Sequence, residues 1–176
     1  MYTTTHPTRA ARLTGLAYLG LAVTGGLGFL VLRPRLFADG DPAATLANLA
    51  GQPTLARTAA VLELLVVLTQ TLAAAGFFGL FRTVDPVSAA GIAAFGLVNA
   101  TALLASAALL GAAAQIAAHP VGDAAATVQL LYLVSDSLWG AGAIFFGLWL
   151  IPMGRAVLRS GWMPRLLGWI LVVGGA

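Results

Sequence analysis

Residues 88–118 read SAAGIAAFGLVNATALLASAALLGAAAQIAA, a stretch without a single charged side chain. Three further apolar runs occupy residues 13–32, 58–81 and 124–151. Each run reaches the roughly 20 residues that a helix needs to cross about 30 Å of hydrocarbon. We therefore predict an all-α integral membrane protein, a helical bundle of four full transmembrane helices whose main partner is the lipid bilayer.

The composition agrees with this class. Hydrophobic residues make up 60% of the chain and charged residues 9%, against about 25% charged residues in an ordinary soluble domain. The net charge is +3, but the arginines stand at the ends of the apolar runs, where they report membrane topology. Because no basic face or recognition module is present, we predict no nucleic-acid partner.

The residue types that are missing exclude several kinds of chemistry. The chain has no cysteine and no lysine, which excludes disulfides, thiolate metal sites and Schiff-base catalysis. The two histidines, His6 and His119, precede prolines in loops and are not placed to ligate a haem inside the bundle. We predict no cofactor, no metal site and no catalytic residue.

The first connecting segment, residues 33–52, holds most of the polar residues between helices. Asp41 is a suitable helix N-cap and Pro42 a suitable first helical residue. A short surface helix over residues 43–50 is expected to follow. We place Arg33 in this loop, outside the first spanning helix.

The C-terminal part is predicted to be less complete. The fourth helix is expected to end at Pro152, after which Arg155 and Arg159 would face lipid headgroups. The last apolar run, 166–176, would measure about 16 Å as a helix and is too short to span. We therefore predict a partial fifth helix, and a single domain over residues 1–176 that lacks its C-terminal helix or helices.

The distribution of arginines predicts the orientation. With the N-terminus inside, the outer segments carry Arg33, Arg35 and Arg57, and the inner segments carry Arg9, Arg12, Arg82, Arg155, Arg159 and Arg165. Cytoplasmic segments are enriched in arginine and lysine. Abundant alanine, glycine and arginine without lysine is typical of a GC-rich bacterial genome. The expected location is the bacterial inner membrane, multi-pass, with a cytoplasmic N-terminus.

Several local strings resemble a known family. The strongest are FGLWLIPMG at 146–154 and RSGWMPRLLG at 159–168, with weaker likeness at RLTG, 12–15, and around Gly40-Asp41. Together they resemble the bacterial domain-of-unknown-function family numbered 4386, a group of small multi-helix membrane proteins. The resemblance implies a bundle of about six helices, which agrees with a missing C-terminal part, and it implies no activity.

Two acidic residues fall inside the predicted spans, Glu63 and Asp136. Ionisable groups in a membrane helix are costly and usually face the bundle interior or mark a functional site. Helical spacing places other polar groups on the same faces: Gln70 with Glu63, and Gln129 and Tyr132 with Asp136. The third helix offers a comparable stripe with Asn99 and Ser106. We expect these polar stripes to point at one another.

Two interpretations of this cluster remain open. In the first, it is an interhelical network that fixes packing, with one acid protonated or both neutralised by amides and Arg57. In the second, an outward-facing pocket binds a polar or cationic ligand or relays protons. The candidate ligand-binding or proton-relay residues are Glu63, Asp136, Tyr132, Gln129, Gln70 and Arg57.

These interpretations lead to three hypotheses of function. The first is a non-enzymatic accessory or assembly component with a membrane-protein partner or as a homo-oligomer. The second is a small ligand-binding or transport protein that uses the polar pocket. The third, an intramembrane enzyme acting on lipid, depends on Arg57, Glu63 and Asp136 being close together.

Overall fold

The computed structural model describes residues 7–176, with side chains from Arg9 onward, and this range is helical without strands. His6 lies outside the described residues. A π-helical segment, Gly26–Leu32, joins the first two α-helices. The α-helices are α1 Pro7–Gly25, α2 Arg33–Leu36, α3 Pro42–Gly51, α4 Pro53–Phe81, α5 Pro86–Ala118, α6 Ala124–Ser160 and α7 Arg165–Gly174.

Within residues 7–176, four helical stretches are long and apolar enough to cross a membrane. The first span, Arg9–Leu36, includes the π-helical segment and α2, and the others are α4, α5 and α6. The helix α7 is apolar but shorter. The prediction of an all-α membrane bundle is confirmed, and the chain is a multi-pass membrane protein.

The chain divides into two compact units. The first unit comprises the residues up to Gly20, Leu68–Ala100 and Gly142–Ala176, and the second comprises Leu21–Val67 and Thr101–Ala141. Glycines allow close helix packing in each of them. A Cβ on Gly20 would lie 3.1 Å from Cγ2 of Thr69 in the first unit, and one on Gly28 would lie 3.6 Å from Cβ of Leu62 in the second.

The start of α3 confirms the predicted helix signal. The Asp41 carboxylate accepts a hydrogen bond of 2.9 Å from the backbone N–H of Ala44, and Pro42 occupies the first turn. The helix ends at Gly51, one residue beyond the predicted range of 43–50.

The predicted end of the fourth helix at Pro152 is wrong. The helix α6 passes through Pro152 and ends at Ser160, followed by Gly161 with a φ of +66°. Membrane helices tolerate an internal proline where neighbouring groups compensate the lost hydrogen bond. Pro152 packs against α5, because a Cβ on Gly91 would lie 3.4 Å from its ring.

Trp149 is fully buried in the first unit. Its ring makes edge-to-face contacts with Tyr18 and Phe77, at centroid distances of 5.7 and 6.4 Å. Gly96 leaves room for it, because a Cβ there would lie 3.0 Å from the indole nitrogen. Within the described residues this nitrogen has no hydrogen-bond partner. Packing against a glycine therefore determines its position.

Asp85, in the turn between α4 and α5, caps α5 from a buried position. Its carboxylate accepts hydrogen bonds from the Ser88 backbone N–H at 3.2 Å and the Ser88 hydroxyl at 2.7 Å. Arg159 donates from Nη1 to the same carboxylate at 2.8 Å. Arg159, predicted to face lipid headgroups, thus also binds a buried carboxylate, and its side chain remains 57% exposed.

The pKa of Asp85 lies below its ordinary value. Burial alone would raise the pKa, but the hydrogen bonds from Ser88 and the positive charges of Arg159 and Arg155 outweigh it. A carboxylate whose pKa is lowered in the folded state stabilises that state above its unfolded pKa. This contribution is lost as the pH falls through the folded-state pKa.

We predict that the Asp85→Asn variant loses part of the acid sensitivity of the protein. The amide can still cap α5, since asparagine and aspartate are comparable N-caps, but it cannot titrate. Thermal unfolding in detergent, followed from pH 7 to below about 4, the ordinary aspartate pKa, should show a steeper loss of Tm in the wild type. Equal slopes for both proteins would contradict the assigned role of Asp85.

Candidate functional site

Arg33 lies inside the first span and is 4% exposed. The sequence placed it in a loop, and this expectation is wrong because the helix continues through Pro34 to Leu36. Proline in an α-helix clashes with the carbonyl four residues before it. Here the preceding turns are π-helical, and the Arg33 N–H bonds to the carbonyl of Gly28, five residues back. The wider turns allow the chain to remain helical up to the proline.

Two carboxylates bind the Arg33 guanidinium. The Nε and Nη2 groups donate to Oε1 of Glu63 at 3.2 and 2.9 Å, and Nη1 donates to Oδ1 of Asp136 at 3.3 Å. Glu63 is 2% exposed, whereas the Asp136 side chain is 54% exposed. The guanidinium therefore has one buried and one exposed counter-ion.

Two buried serines complete the polar contacts. Nη2 of Arg33 donates to the Ser106 hydroxyl at 3.1 Å and also to the Ser135 hydroxyl. Ser106 donates to Oε2 of Glu63 at 2.9 Å, and the two serine oxygens are 2.7 Å apart. Since Glu63 belongs to α4, Ser106 to α5 and Ser135 to α6, one guanidinium connects all four spans.

Three aromatic rings surround the same guanidinium. The Arg33 Cζ atom lies 5.4 Å from the ring centroid of Phe29, 5.9 Å from that of Tyr132 and 5.6 Å from that of Trp139. Ring faces attract cations within about 6 Å. The Trp139 indole N–H also donates to Oε1 of Glu63 at 2.9 Å. The aromatic side chains thus shield the charges and satisfy one further carboxylate lone pair.

An apolar layer separates this cluster from one end of the helices. It comprises Leu32, Leu36, Phe37, Leu49, Ala56, Ala59, Leu110, Ala113, Ala117 and Val128. Its members on α4 precede Glu63, those on α5 follow Ser106, and the one on α6 precedes Ser135. Leu49 of α3 belongs to this layer, so the segment after α2 helps to cover the charged cluster.

The structure brings together only part of the predicted site. Glu63, Asp136 and the Tyr132 ring meet at Arg33, and the Tyr132 hydroxyl donates to Oδ1 of Asp39 at 3.2 Å. Gln129 instead accepts a hydrogen bond of 3.0 Å from the Thr45 hydroxyl. Each side chain therefore has a different environment, although all three residues of α6 share the predicted stripe.

Two of the predicted site residues lie apart from the cluster. Gln70 belongs to the first unit, where its amide is fully buried and has no hydrogen-bond partner among the described residues. Arg57 is exposed and lines a separate cleft with Gln115 and His119. The residues that sequence reasoning missed are Arg33, Ser135 and Trp139. The sequence did contain a signal for Arg33, because two acidic residues inside the spans need a cation at the same depth in the membrane.

We predict that Glu63→Gln destabilises the protein by about 3–5 kcal/mol, the usual cost of removing one partner of a buried ion pair. The double variant Arg33→Met/Glu63→Met should lose less than the sum of its single variants, because it removes both buried charges together. Unfolding in mixed micelles with increasing dodecyl sulfate measures these differences. Additive losses would show that Arg33 and Glu63 do not interact.

The comparisons with known proteins agree with the architecture. The comparison with curated proteins and the comparison with solved structures found no match. A family model described as "Domain of unknown function (DUF4386)" matches residues 13–176. This match covers all four spans except the first residues of the first, and it extends to the last residue of the chain. The chain therefore belongs to the DUF4386 family.

Proposed function

We propose that the protein is a non-enzymatic accessory or assembly component that binds a transmembrane helix of a partner protein against α6. The observation that carries the proposal is the 54% exposure of the Asp136 side chain within a membrane span. An ionisable side chain exposed to hydrocarbon is costly and normally faces protein or water. A partner helix that covers Asp136 would remove this cost.

The position of Asp136 along α6 supports a lateral partner. The residue lies twelve positions after Ala124, about 18 Å along the helix. The apolar layer lies between the charged cluster and this end of the helices. The exposed neighbours of Asp136 on α6 are Leu133, Ser137 and Gly140. Apolar and small residues on an exposed helix face favour close contact with another transmembrane helix.

Charge complementarity indicates the chemistry of the partner. The cluster contains two carboxyl groups and one guanidinium, so its acidic groups outnumber its basic group by one. Arg33 donates to Oδ1 of Asp136, and among the described residues no group donates to the other carboxylate oxygen. The partner helix would therefore present a cationic or hydrogen-bond-donating side chain at the depth of Asp136.

The contacts in the cluster also support a non-enzymatic role. Both oxygens of Glu63 accept hydrogen bonds, and the Ser106 and Ser135 hydroxyls bind each other. The Ser106 hydroxyl lies beside the Glu63 carboxylate, but it is buried and also bonded to Arg33 and Ser135, so it is not a free nucleophile. An enzyme acting on lipid would also need Arg57 near the acids, and Arg57 lines the separate cleft.

A second candidate function uses the same carboxylate oxygen of Asp136. A small cationic ligand, or a proton in a relay, could occupy it in place of a partner helix. The three aromatic rings around Arg33 give this region a surface that is suited to cations. The experiment below separates this candidate from a protein partner.

The orientation with a cytoplasmic N-terminus, in a bacterial inner membrane, belongs to the same proposal. Because Arg33 is buried, whereas Arg35 and Arg57 are exposed, it no longer counts among the outer arginines, which leaves Arg35 and Arg57. The excess of arginine in the inner segments increases accordingly, and this supports the orientation.

We predict that a photo-crosslinking amino acid at Ser137 captures a defined membrane protein in the native membrane. The matched control position is Leu104, which is exposed on α5 and should yield lipid adducts only. When the Ser137 probe is combined with Asp136→Asn, binding of the partner should weaken by about 1–2 kcal/mol, the range for polar contacts between membrane helices. The variant should remain folded, since it leaves the buried ion pair between Arg33 and Glu63 intact.

Other outcomes decide against a protein partner. Lipid adducts alone at Ser137, or partner capture that Asp136→Asn leaves unchanged, would contradict the proposal. Capture of a second copy of this chain would identify the partner as the protein itself. Binding of a small cation that Asp136→Asn abolishes, without any protein adduct, would favour the second candidate.

A further inference from the structure

A cleft of about 490 Å³ lies in the second unit, where α4 begins and α5 ends. Its volume is within the range of about 300–1,000 Å³ that is typical of ligand sites. Arg57, Gln115 and His119 supply its polar groups, beside the apolar Pro53 and Ala118 at the same helix ends. Farther from the ends, Ala60, Val61 and Gly111 form an apolar wall. The cleft therefore has a polar mouth and an apolar interior.

The mouth of the cleft favours an anion. Arg57 is exposed, and among the described residues it has no hydrogen-bonding or ionic partner. None of the described residues that line the cleft is acidic. An arginine guanidinium binds phosphate oxygens with paired N–H groups, and Gln115 and His119 offer additional donors.

The depth of the cleft indicates that the anion belongs to a lipid. Arg57 is four residues from the start of α4, about 6 Å along the helix, and His119 directly follows α5. Arginines at the ends of spans lie at the level of headgroups. Gly111 lies within α5, seven residues before its end Ala118, and a Cβ there would meet open space. An acyl chain could therefore lie along the apolar wall while its phosphate contacts Arg57.

We propose that this cleft is a binding site for an anionic phospholipid, with the headgroup phosphate at Arg57 and one acyl chain against α4 and α5 beside Gly111. The site does not include Asp136 or any residue of the Arg33 cluster. The test of this site and the test of the partner helix can therefore fail separately.

Native mass spectrometry of the detergent-purified protein with added phosphatidylglycerol or phosphatidylcholine tests the site. Phosphatidylglycerol should bind more tightly to the wild type. Arg57→Gln should weaken phosphatidylglycerol about fivefold, as expected for the roughly 1 kcal/mol that one arginine contributes near a membrane surface. Gly111→Leu should reduce binding of both lipids by filling the cleft.

The matched control is Arg35→Gln, which removes the same charge from an exposed residue of the same unit that does not line the cleft. It should leave the preference for phosphatidylglycerol unchanged. Size-exclusion chromatography verifies that each variant is folded. If Gly111→Leu does not fold, Arg57→Gln still tests the site, because Arg57 is exposed. Equal binding of the two lipids, equal effects of Arg57→Gln and Arg35→Gln, or displacement of the lipid by inorganic phosphate would overturn the proposal.

Discussion

The second unit depends on one constraint, the cost of keeping the Arg33 charge away from water. An isolated ionised group is not tolerated in an apolar interior unless counter-ions and hydrogen-bond partners surround it. Arg33 obtains them from α4, α5 and α6 at the same time. The relative positions of the four spans in this unit are thus specified by polar contacts as well as by apolar packing, which has many near-equivalent solutions among alanine and leucine side chains.

The surrounding structure is arranged to make this burial possible. The π-helical turns allow the first span to continue up to Pro34, so that Arg33 remains on a helix. The first span then ends at Leu36, and Leu49 of α3 joins the apolar layer next to the cluster. This layer covers the cluster toward one end of the helices. On the lateral face of α6, Asp136 alone among the charged groups of the cluster is substantially exposed. The local helix distortion, the covering segment and the exposed acid are parts of one arrangement.

Sequence reasoning was most successful where a single segment contains the information. Length and hydropathy determine the four spans, and the Asp41-Pro42 signal depends only on adjacent residues. Glu63 and Asp136 could be selected because an acid inside an apolar run is unusual by itself. The cation that binds them could not be identified from the sequence, because an arginine followed by proline at the end of an apolar run is typical of a loop. Only its three-dimensional contacts with α4 and α6 show that Arg33 lies inside the helical bundle.

The same physical reason explains the other differences. Pro152 continues a helix because a glycine on a neighbouring helix, Gly91, accommodates its ring. Arg57 and Gln70 share helix α4 with Glu63, yet each has a separate environment. A shared helical face predicts a common direction of side chains. Which neighbour each side chain meets depends on the tertiary packing around it.

The ion pair between Arg33 and Glu63 can be measured directly, because Glu63 is the one glutamate in the chain. Solid-state NMR of the protein in lipid bilayers, with ¹⁵N in the arginine guanidinium groups and ¹³C in the glutamate carboxyl group, reports the distance between these nuclei. The 2.9 Å separation of Nη2 and Oε1 predicts strong dipolar dephasing of the single carboxyl signal. In a folded Arg33→Gln variant the signal should remain and its dephasing should disappear. A carboxyl signal without dephasing in the folded wild-type protein would contradict the account.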